Sequence, residues 1–477
     1  MREVKTIRKR FAAVNQAHIF AHWDRLSPSG RQRLLRQAAA IDLKQLSQWC
    51  QSLIQDVSGQ AAPIINQPIE PSPYLTHPCH GGDKTAWQQA AIEGATALRA
   101  GKVAAFTVAG GQGTRLGFDG PKGILPITPI HKKTLLQVFA EKIHGVTVRY
   151  GVTPPWLILT SPDNHNAIQD FLEKNAYFGL NTSRVHCLCQ GQTPAVDRQG
   201  KLLLKTADSL MLCPDGHGGA LSALWQSGLL TKLNAAGITI ITYAQVDNPL
   251  VYSFDPAFIG LHLRHCSDMS SKMVTKRSAD EKVGVFVRNE QGHLAVIEYS
   301  DMPETLSTAW DEQGERDYTA GNTAIHLLSV DFAKRMGDPE EFDALPVHRA
   351  DKIVEHFDPL TGKLIPIKGV KFERFIFDAL PYAQRAIVVE TLREEEFSPV
   401  KNKTGPHSLD SCREDQLRRG ARWLRKAGVD VATDEQGLPY HLIEISPAFA
   451  DDVEAFLVNW KQRVQRTDPT GDIYINS

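Results

Sequence analysis

Across residues 102–266, short runs of buried-type apolar residues alternate with amphipathic stretches, and no other feature limits the fold as strongly. "KVAAFTVAGG", "PWLILTS", "SRVHCLCQ" and "ITIITYAQVDNPL" read as strands. "PDNHNAIQDFLEKNAYFG", "GALSALWQSGLLTKLNAAG" (closed by Gly237) and "PAFIGLHLRHC" read as helices. Strands that alternate with helices become parallel neighbours joined by right-handed crossovers. "VGVFVRNEQGHLAVIEYS" departs from this, because two alternating runs around residues 289–292 predict a β-hairpin set into the α/β frame. The expected fold class is α/β, with a mixed, mostly parallel central sheet flanked by helices.

The flanks differ in character. Residues 1–98 are rich in helix formers, and Leu34, Leu35, Ala38, Ile41, Leu43 and Leu46 recur at three- and four-residue steps as one apolar face. A proline-rich connector, "AAPIINQPIEPSPYLTHP", interrupts the pattern at residues 61–78. A further helix is expected from Asp83, its cap, with Ala90, Ala91, Ala95 and Leu98 along it. "EFSPVKNKTGPHS" reads as a linker or mobile loop, and the segment from Asp410 as one helix with short strands. The expected domains are a helical region at 1–98, a catalytic domain at 99–395 and a small C-terminal domain at 396–477.

Charge and cysteine usage exclude several function classes. Lys plus Arg total 53 against 54 Asp plus Glu, so no net basic field attracts nucleic acid. No apolar run approaches the length of a membrane-spanning helix, and the first twenty residues lack the apolar core of a signal peptide. The seven cysteines (50, 79, 187, 189, 213, 266 and 412) are odd in number and scattered, which argues for reduced thiols. Only "HPCH" at 77–80 offers a weak second ligand set beside "CLC", so a cysteine metal site is disfavoured. The expectation is a cytoplasmic protein, a monomer or weak homo-oligomer, with no nucleic-acid or membrane partner.

"VAGGQGTRLGFDGPKG", residues 108–123, directly follows the first apolar run. A dinucleotide fingerprint fails, because Leu116 stands where the third glycine belongs and Gly117 comes one position late. A Walker loop fails too, since Pro121 separates glycine from Lys122. Gly110, Gly111 and Gly113 still leave backbone N–H groups free to face phosphate oxygens. Arg115 and Lys122 add charge where a pyrophosphate group develops more, and Pro121 fixes the direction from which Lys122 enters. The loop suits a nucleoside triphosphate under attack; a tight turn with two solvated bases is the competing reading.

This loop resembles the signature of the UDP-sugar pyrophosphorylases, and of the eukaryotic-type UDP-N-acetylhexosamine pyrophosphorylases in particular. The resemblance continues in order through "QGQTPAVD", "PDGHGG", "VDNPL", "VIEYSDM", "GNTAIH", "KFERFIFD" and "REEEFSPVKN", and "LIEISP" fits the family's end. It implies a Rossmann-like sheet of the nucleotidyltransferase A type. It also implies a uridylyltransferase that makes UDP-N-acetylglucosamine or UDP-N-acetylgalactosamine and pyrophosphate from UTP and the N-acetylhexosamine 1-phosphate. Mg²⁺, or Mn²⁺ in its place, would assist in-line attack on the α-phosphorus.

By the same resemblance, Val108, Ala109, Gly110, Gly111, Gly113 and Thr114 would lie against the nucleotide. Lys122 would contact its phosphates, Gln190 and Gly216 would read the uracil, and Asp247 would hold the metal or the nucleotide. His217, Glu298, Tyr299, Gly321 and Asn322 would bind the sugar, and Arg115, Lys122 and Lys401 would be catalytic. Plainer roles stand beside these: Asp247 as a helix cap, Glu298 and Lys401 as solvated charges, Gln190 as a turn residue. His217 stands where the acetylhexosamine enzymes have Asn and is more typical of UDP-glucose and broad UDP-sugar enzymes. Glucose 1-phosphate or a broad range is therefore the alternative substrate reading, and a pH dependence is expected at His217. A non-catalytic UDP-sugar sensor is the alternative of another class, ahead of a dinucleotide-dependent oxidoreductase.

Overall fold

The computed structural model describes residues 2–55, 68–310, 314, 316–342, 344–463 and 471–476. In the larger of two compact units, ten strands form one mixed sheet. They are β1 Ile69–Pro71, β2 Val103–Val108, β3 Trp156–Thr160, β4 Val185–Cys189, β5 Ile240–Gln245, β6 Met269–Thr275, β7 Val285–Asn289, β8 Leu294–Ile297, β9 Ala320–Ser329 and β10 Ala386–Glu390. Their order is β1-β7-β9-β5-β2-β3-β4, with β6 beside β9 and β10, and β8 beside β7. The run β5-β2-β3-β4 is parallel, as the alternation of strand and helix requires. Every residue of β3 is buried, which is why its sequence is continuously apolar rather than alternating. The expected hairpin is β7–β8, antiparallel, with Val285 opposite Ile297.

Helices cover the sheet. Lys84–Arg99 is capped by Asp83, whose carboxylate accepts from the N–H groups of Thr85 and Ala86. It crosses Pro256–Arg264 so closely that a Cβ on Gly260 would lie 1.7 Å from the Ala90 carbonyl oxygen. A Cβ on Gly94 would lie 1.9 Å from the carbonyl oxygen of Pro256, so glycine is required on both helices. The helix expected across residues 219–237 is two, Gly219–Gln226 and Leu229–Ala235, broken at Gly228 with φ +68°.

The two compact units do not follow the expected boundaries. The smaller comprises Met1–Pro68, Gly191–Gly219 and Ala344–Ala379; the larger comprises Ile69–Gln190, Ala220–Asp343 and Leu380–Ser477. In the smaller unit the helices Arg2–Ala13, Pro28–Ala39 and Leu43–Cys50 bury Phe11, Leu34, Ala38, Leu43 and Leu46 against Val196, Leu202, Leu210, Val370 and Phe372. Asp42 caps Leu43–Cys50 and so divides the expected apolar face into two helices. A long antiparallel pair, His348–Asp358 with Lys363–Glu373, also belongs to this unit.

Residues 61–67 of the proline-rich connector lie outside the described residues. The segment after Asp410 holds two helices, Leu409–Lys426 and Val453–Gln462, where one was expected. They bury Trp423, Leu424 and Phe456 against Ile443 and Ile473 of a short parallel pair. Among the described residues, no helix is long and apolar enough to cross a membrane.

Candidate active site

The glycine-rich loop leaves the carboxyl end of β2 and is held from below by a buried amide. Asn164, 1% exposed, donates from Nδ2 to the carbonyl oxygens of Ala109 (2.9 Å) and Gly111 (3.3 Å). Its Oδ1 accepts from the Ser161 N–H at 2.8 Å. In a trans peptide the C=O and the following N–H point opposite ways, so the N–H groups of Gly110 and Gln112 are turned away from Asn164. The loop closes through Gly113 N–H to Gly120 O (2.8 Å) and Lys122 N–H to Gly111 O (3.0 Å). Gly111, Thr114 and Arg115 are exposed, Val108 is half-buried, and the space beside Gly111 is open.

Gln190 continues from β4 and is 6% exposed. A Cβ on Gly110 would lie 2.4 Å from Gln190 Oε1, so this side chain packs on the loop rather than merely completing a turn. Beside them Ser161, 1% exposed, has a hydroxyl with no hydrogen-bond partner among the described residues.

Lys122 is not the solvated loop lysine that its sequence context suggests. Its ammonium donates to Asp247 Oδ2 and to the Val400 carbonyl oxygen, each at 3.2 Å, and its side chain is 17% exposed. Asp247, just past β5, does not cap a helix; the next helix, Pro256–Arg264, is capped by Asp255. The expected linker around residue 400 is likewise pinned rather than loose. Phe397, Ser398 and Val400 are buried, and the Val400 N–H donates to Asp247 O at 2.9 Å. Lys401 follows directly, exposed, with its own N–H bonded to His407 O at 2.7 Å. Lys122, Asp247 and the backbone that delivers Lys401 therefore share one junction.

The sugar candidates form a second group at the same end of the sheet's strands. β9 runs antiparallel to β5, so its start, with Gly321 and Asn322, lies at the end of β5 that leads to Asp247. The Asn322 N–H donates to Gly284 O at 2.7 Å, and a Cβ on Gly284 would lie 3.4 Å from Glu298 Oε1. A Cβ on Gly321 would approach Val274 O at 2.8 Å. Tyr299 is 48% exposed.

Gly216 and His217 belong to the smaller unit. Gly216 has φ +85°, and a Cβ there would lie 2.3 Å from Arg374 O. His217 stacks on Phe375 at 5.2 Å, and its Nδ1 accepts from the Ile376 N–H at 3.2 Å. In the neutral ring this acceptor role of Nδ1 puts the proton on Nε2.

The family model described as UTP–glucose-1-phosphate uridylyltransferase (UDPGP) matches residues 83–409. The chain belongs to this family. It is 34% identical to UDP-N-acetylglucosamine diphosphorylase 2 of Arabidopsis thaliana, over 92% of this chain and 88% of that protein. It is 33% identical to the UDP-N-acetylglucosamine pyrophosphorylase of Saccharomyces cerevisiae, over 88% and 91% respectively. A crystal structure of the uridine diphosphate N-acetylglucosamine pyrophosphorylase from Trypanosoma brucei matches with a TM-score of 0.81 and 25% identity, covering 100% of this chain and 99% of that one.

A uridylyltransferase has to manage the charge of two polyanions. Among the described residues no group of three or more His, Cys, Asp and Glu side chains is arranged to hold a metal ion. Mg²⁺ does not need one, because it binds through one or two carboxylates and takes its remaining ligands from phosphates and water. The buried carboxylate of Asp247 fits that mode.

Beside this junction lie residues that the motifs did not single out: Asn164, Asn248, and a buried ion cluster. Lys272, 1% exposed, donates to Asp255 (2.7 Å) and to both oxygens of Glu396 (2.5 and 2.7 Å). Burial opposes its charge, but the two carboxylates outweigh burial and hold Lys272 above the usual lysine range. A lysine inside a buried strand and a glutamate in an acidic run carry no sign of each other in sequence.

Proposed function

We propose that this uridylyltransferase makes a UDP-N-acetylhexosamine, UDP-N-acetylglucosamine first, and pyrophosphate from UTP and the sugar 1-phosphate. The observation that carries the reading is the junction of Lys122, Asp247 and Val400 beside the glycine-rich loop. An oxygen of the sugar phosphate bonds to the α-phosphorus of UTP. The bond from that phosphorus to the oxygen bridging to the β-phosphorus breaks, and the electron pair leaves with pyrophosphate. The nucleophile is already an anion, so no general base has to remove a proton, and catalysis rests on positioning and charge.

The N–H groups of Gly110 and Gln112 donate to phosphate oxygens with Thr114 beside them, while Gly113, expected to offer a free N–H, gives it to Gly120 O and closes the loop instead. Arg115, Lys122 and Lys401 offset charge that grows on the departing pyrophosphate. Asp247 would hold Mg²⁺, or Mn²⁺, which when bound supplies further positive charge to the phosphates. Gln190 reads the uracil edge, and Glu298, Tyr299, Gly321 and Asn322 hold the sugar. Gly216 and His217 keep, within this proposal, the uracil and sugar roles that the resemblance implies.

Pyrophosphate release from UTP and Mg²⁺, measured in parallel with N-acetylglucosamine, N-acetylgalactosamine and glucose 1-phosphates, tests the reading. Release with the acetylated sugars at the highest kcat/KM is the expected result. A preference for glucose 1-phosphate assigns His217 the deciding role and overturns the sugar choice. UTP binding without turnover on any sugar leaves a sensor.

A further inference from the structure

The junction has a hub in a buried amide. Asn248, 4% exposed, follows Asp247 directly, and its amide spans to the segment that ends in Lys401. Its Nδ2 donates to the Glu396 carbonyl oxygen at 2.7 Å, and its Oδ1 accepts from the Ser398 N–H at 3.1 Å and from the Leu250 N–H at 3.3 Å. One rung further on, the Val400 N–H donates to Asp247 O, and the Val400 carbonyl accepts from Lys122. The far end of the segment is anchored as well: the Glu396 carboxylate receives Lys272, the Thr391 hydroxyl (2.5 Å) and the Tyr252 N–H (3.2 Å). Residues 396–400 are thus laid against residues 247–248 as a two-sided ladder, and the Asn248 side chain supplies both polar rungs between its fixed end and Val400.

We propose that Asn248 is a positioning residue for uridylyl transfer. By fixing the backbone at Glu396 and Ser398 it sets where Lys401 emerges. The inference rests on the reading of the chain as a uridylyltransferase. Asn248 touches no substrate; its effect passes through Lys401, so the two must be coupled. Because a misplacement of about 1 Å can cost about a hundredfold in rate, Asn248→Ala is expected to lower kcat on that scale. The KM for UTP is expected to stay within about threefold, since the loop that binds the nucleotide is untouched.

The decisive test is a double-mutant cycle with Lys401→Ala in the full-length enzyme, with each variant first shown to be folded by circular dichroism. If Asn248 acts through Lys401, the double variant stays within about twofold of Lys401→Ala alone. Losses that multiply, or an unchanged kcat in Asn248→Ala, overturn the proposal. Should Asn248→Ala not fold, Asn248→Asp, which keeps the acceptor for Ser398 and loses the donor to Glu396, goes through the same cycle under the same criteria. A wild type that releases no pyrophosphate with any sugar overturns the functional reading and this inference together; an active wild type with multiplying losses overturns this inference alone.

Discussion

At the scale of single residues, the site turns on the ion pair between Lys122 and Asp247, 3.2 Å apart beyond the ends of two neighbouring parallel strands. The glycines at 110 and 111, Lys122 and Asp247 all stood out in sequence, each at a strand end or in a loop of distinctive composition. That Lys122 pairs with Asp247 was not visible, because 125 residues separate them and only the parallel pairing of β2 with β5 brings the strand ends together. Asn164 and Asn248 escaped notice for a related reason: a buried amide has no pattern of its own and is defined only by the backbone groups it meets. The pairing changes what Lys122→Ala should do. Turnover is expected to fall by about a hundredfold or more, the scale seen when one preorganised charge donor is removed. Asp247, 8% exposed at its side chain, loses its ionic partner as well, so stability should drop by about 1–3 kcal/mol. Steady-state kinetics with a urea melt check both; normal turnover with lowered stability would make Lys122 purely structural.

Elements were read well where one periodicity governed them. β2, β3 and β5 fall within the expected segments because parallel strands buried on both faces are mostly apolar, and β4, at the edge of the sheet and partly exposed, shows alternation instead. The pair His348–Asp358 and Lys363–Glu373 was missed, since charged residues interrupt its alternation and many of its positions are solvated. Helix contacts yield a sharp prediction. Gly260→Ala forces a methyl into the Ala90 carbonyl, and overpacking of this kind costs about 1–3 kcal/mol or more, visible as a lowered Tm. An unchanged Tm would show that the two helices can separate freely.

A second element-scale prediction concerns pH. His262 on the helix Pro256–Arg264 bonds through Nδ1 to Ser270 Oγ on β6 at 2.8 Å. Burial pushes it down to about 4 from its ordinary 6.5. Between those values the unfolded chain binds the extra proton, so this stabilisation is complete above about 6.5 and is lost as pH falls toward 4. Asp451 works in the opposite sense, because burial raises it to about 6 against the pull of Lys142 and Arg419. Comparison with His262→Asn removes that background. Relative to the variant, the wild type should lose about 3 kcal/mol between pH 7 and pH 4. A difference that does not change with pH would mean that the imidazole is not held neutral.

At the scale of the whole molecule, fold class and family were accessible because the motifs occur in family order over a long span, and residues 83–409 match the family model. The grouping of the chain was not. Residues 1–68 share a compact unit with 191–219 and 344–379 because helix faces buried early in the chain are completed by strands that arrive much later. No local pattern encodes such a closure, whereas each strand end at the candidate site announces itself locally.

The most direct test of uridylyl transfer follows the phosphorus atoms themselves. Full-length enzyme is mixed with UTP, Mg²⁺ and N-acetylglucosamine 1-phosphate, and the reaction is watched by ³¹P NMR. The expected result is that the sugar phosphate and UTP signals are replaced by the two mutually coupled resonances of a UDP-sugar diphosphate as free pyrophosphate appears in equal amount. Conversion of UTP to UMP and pyrophosphate with the sugar phosphate left intact, or no change in any signal, would contradict it.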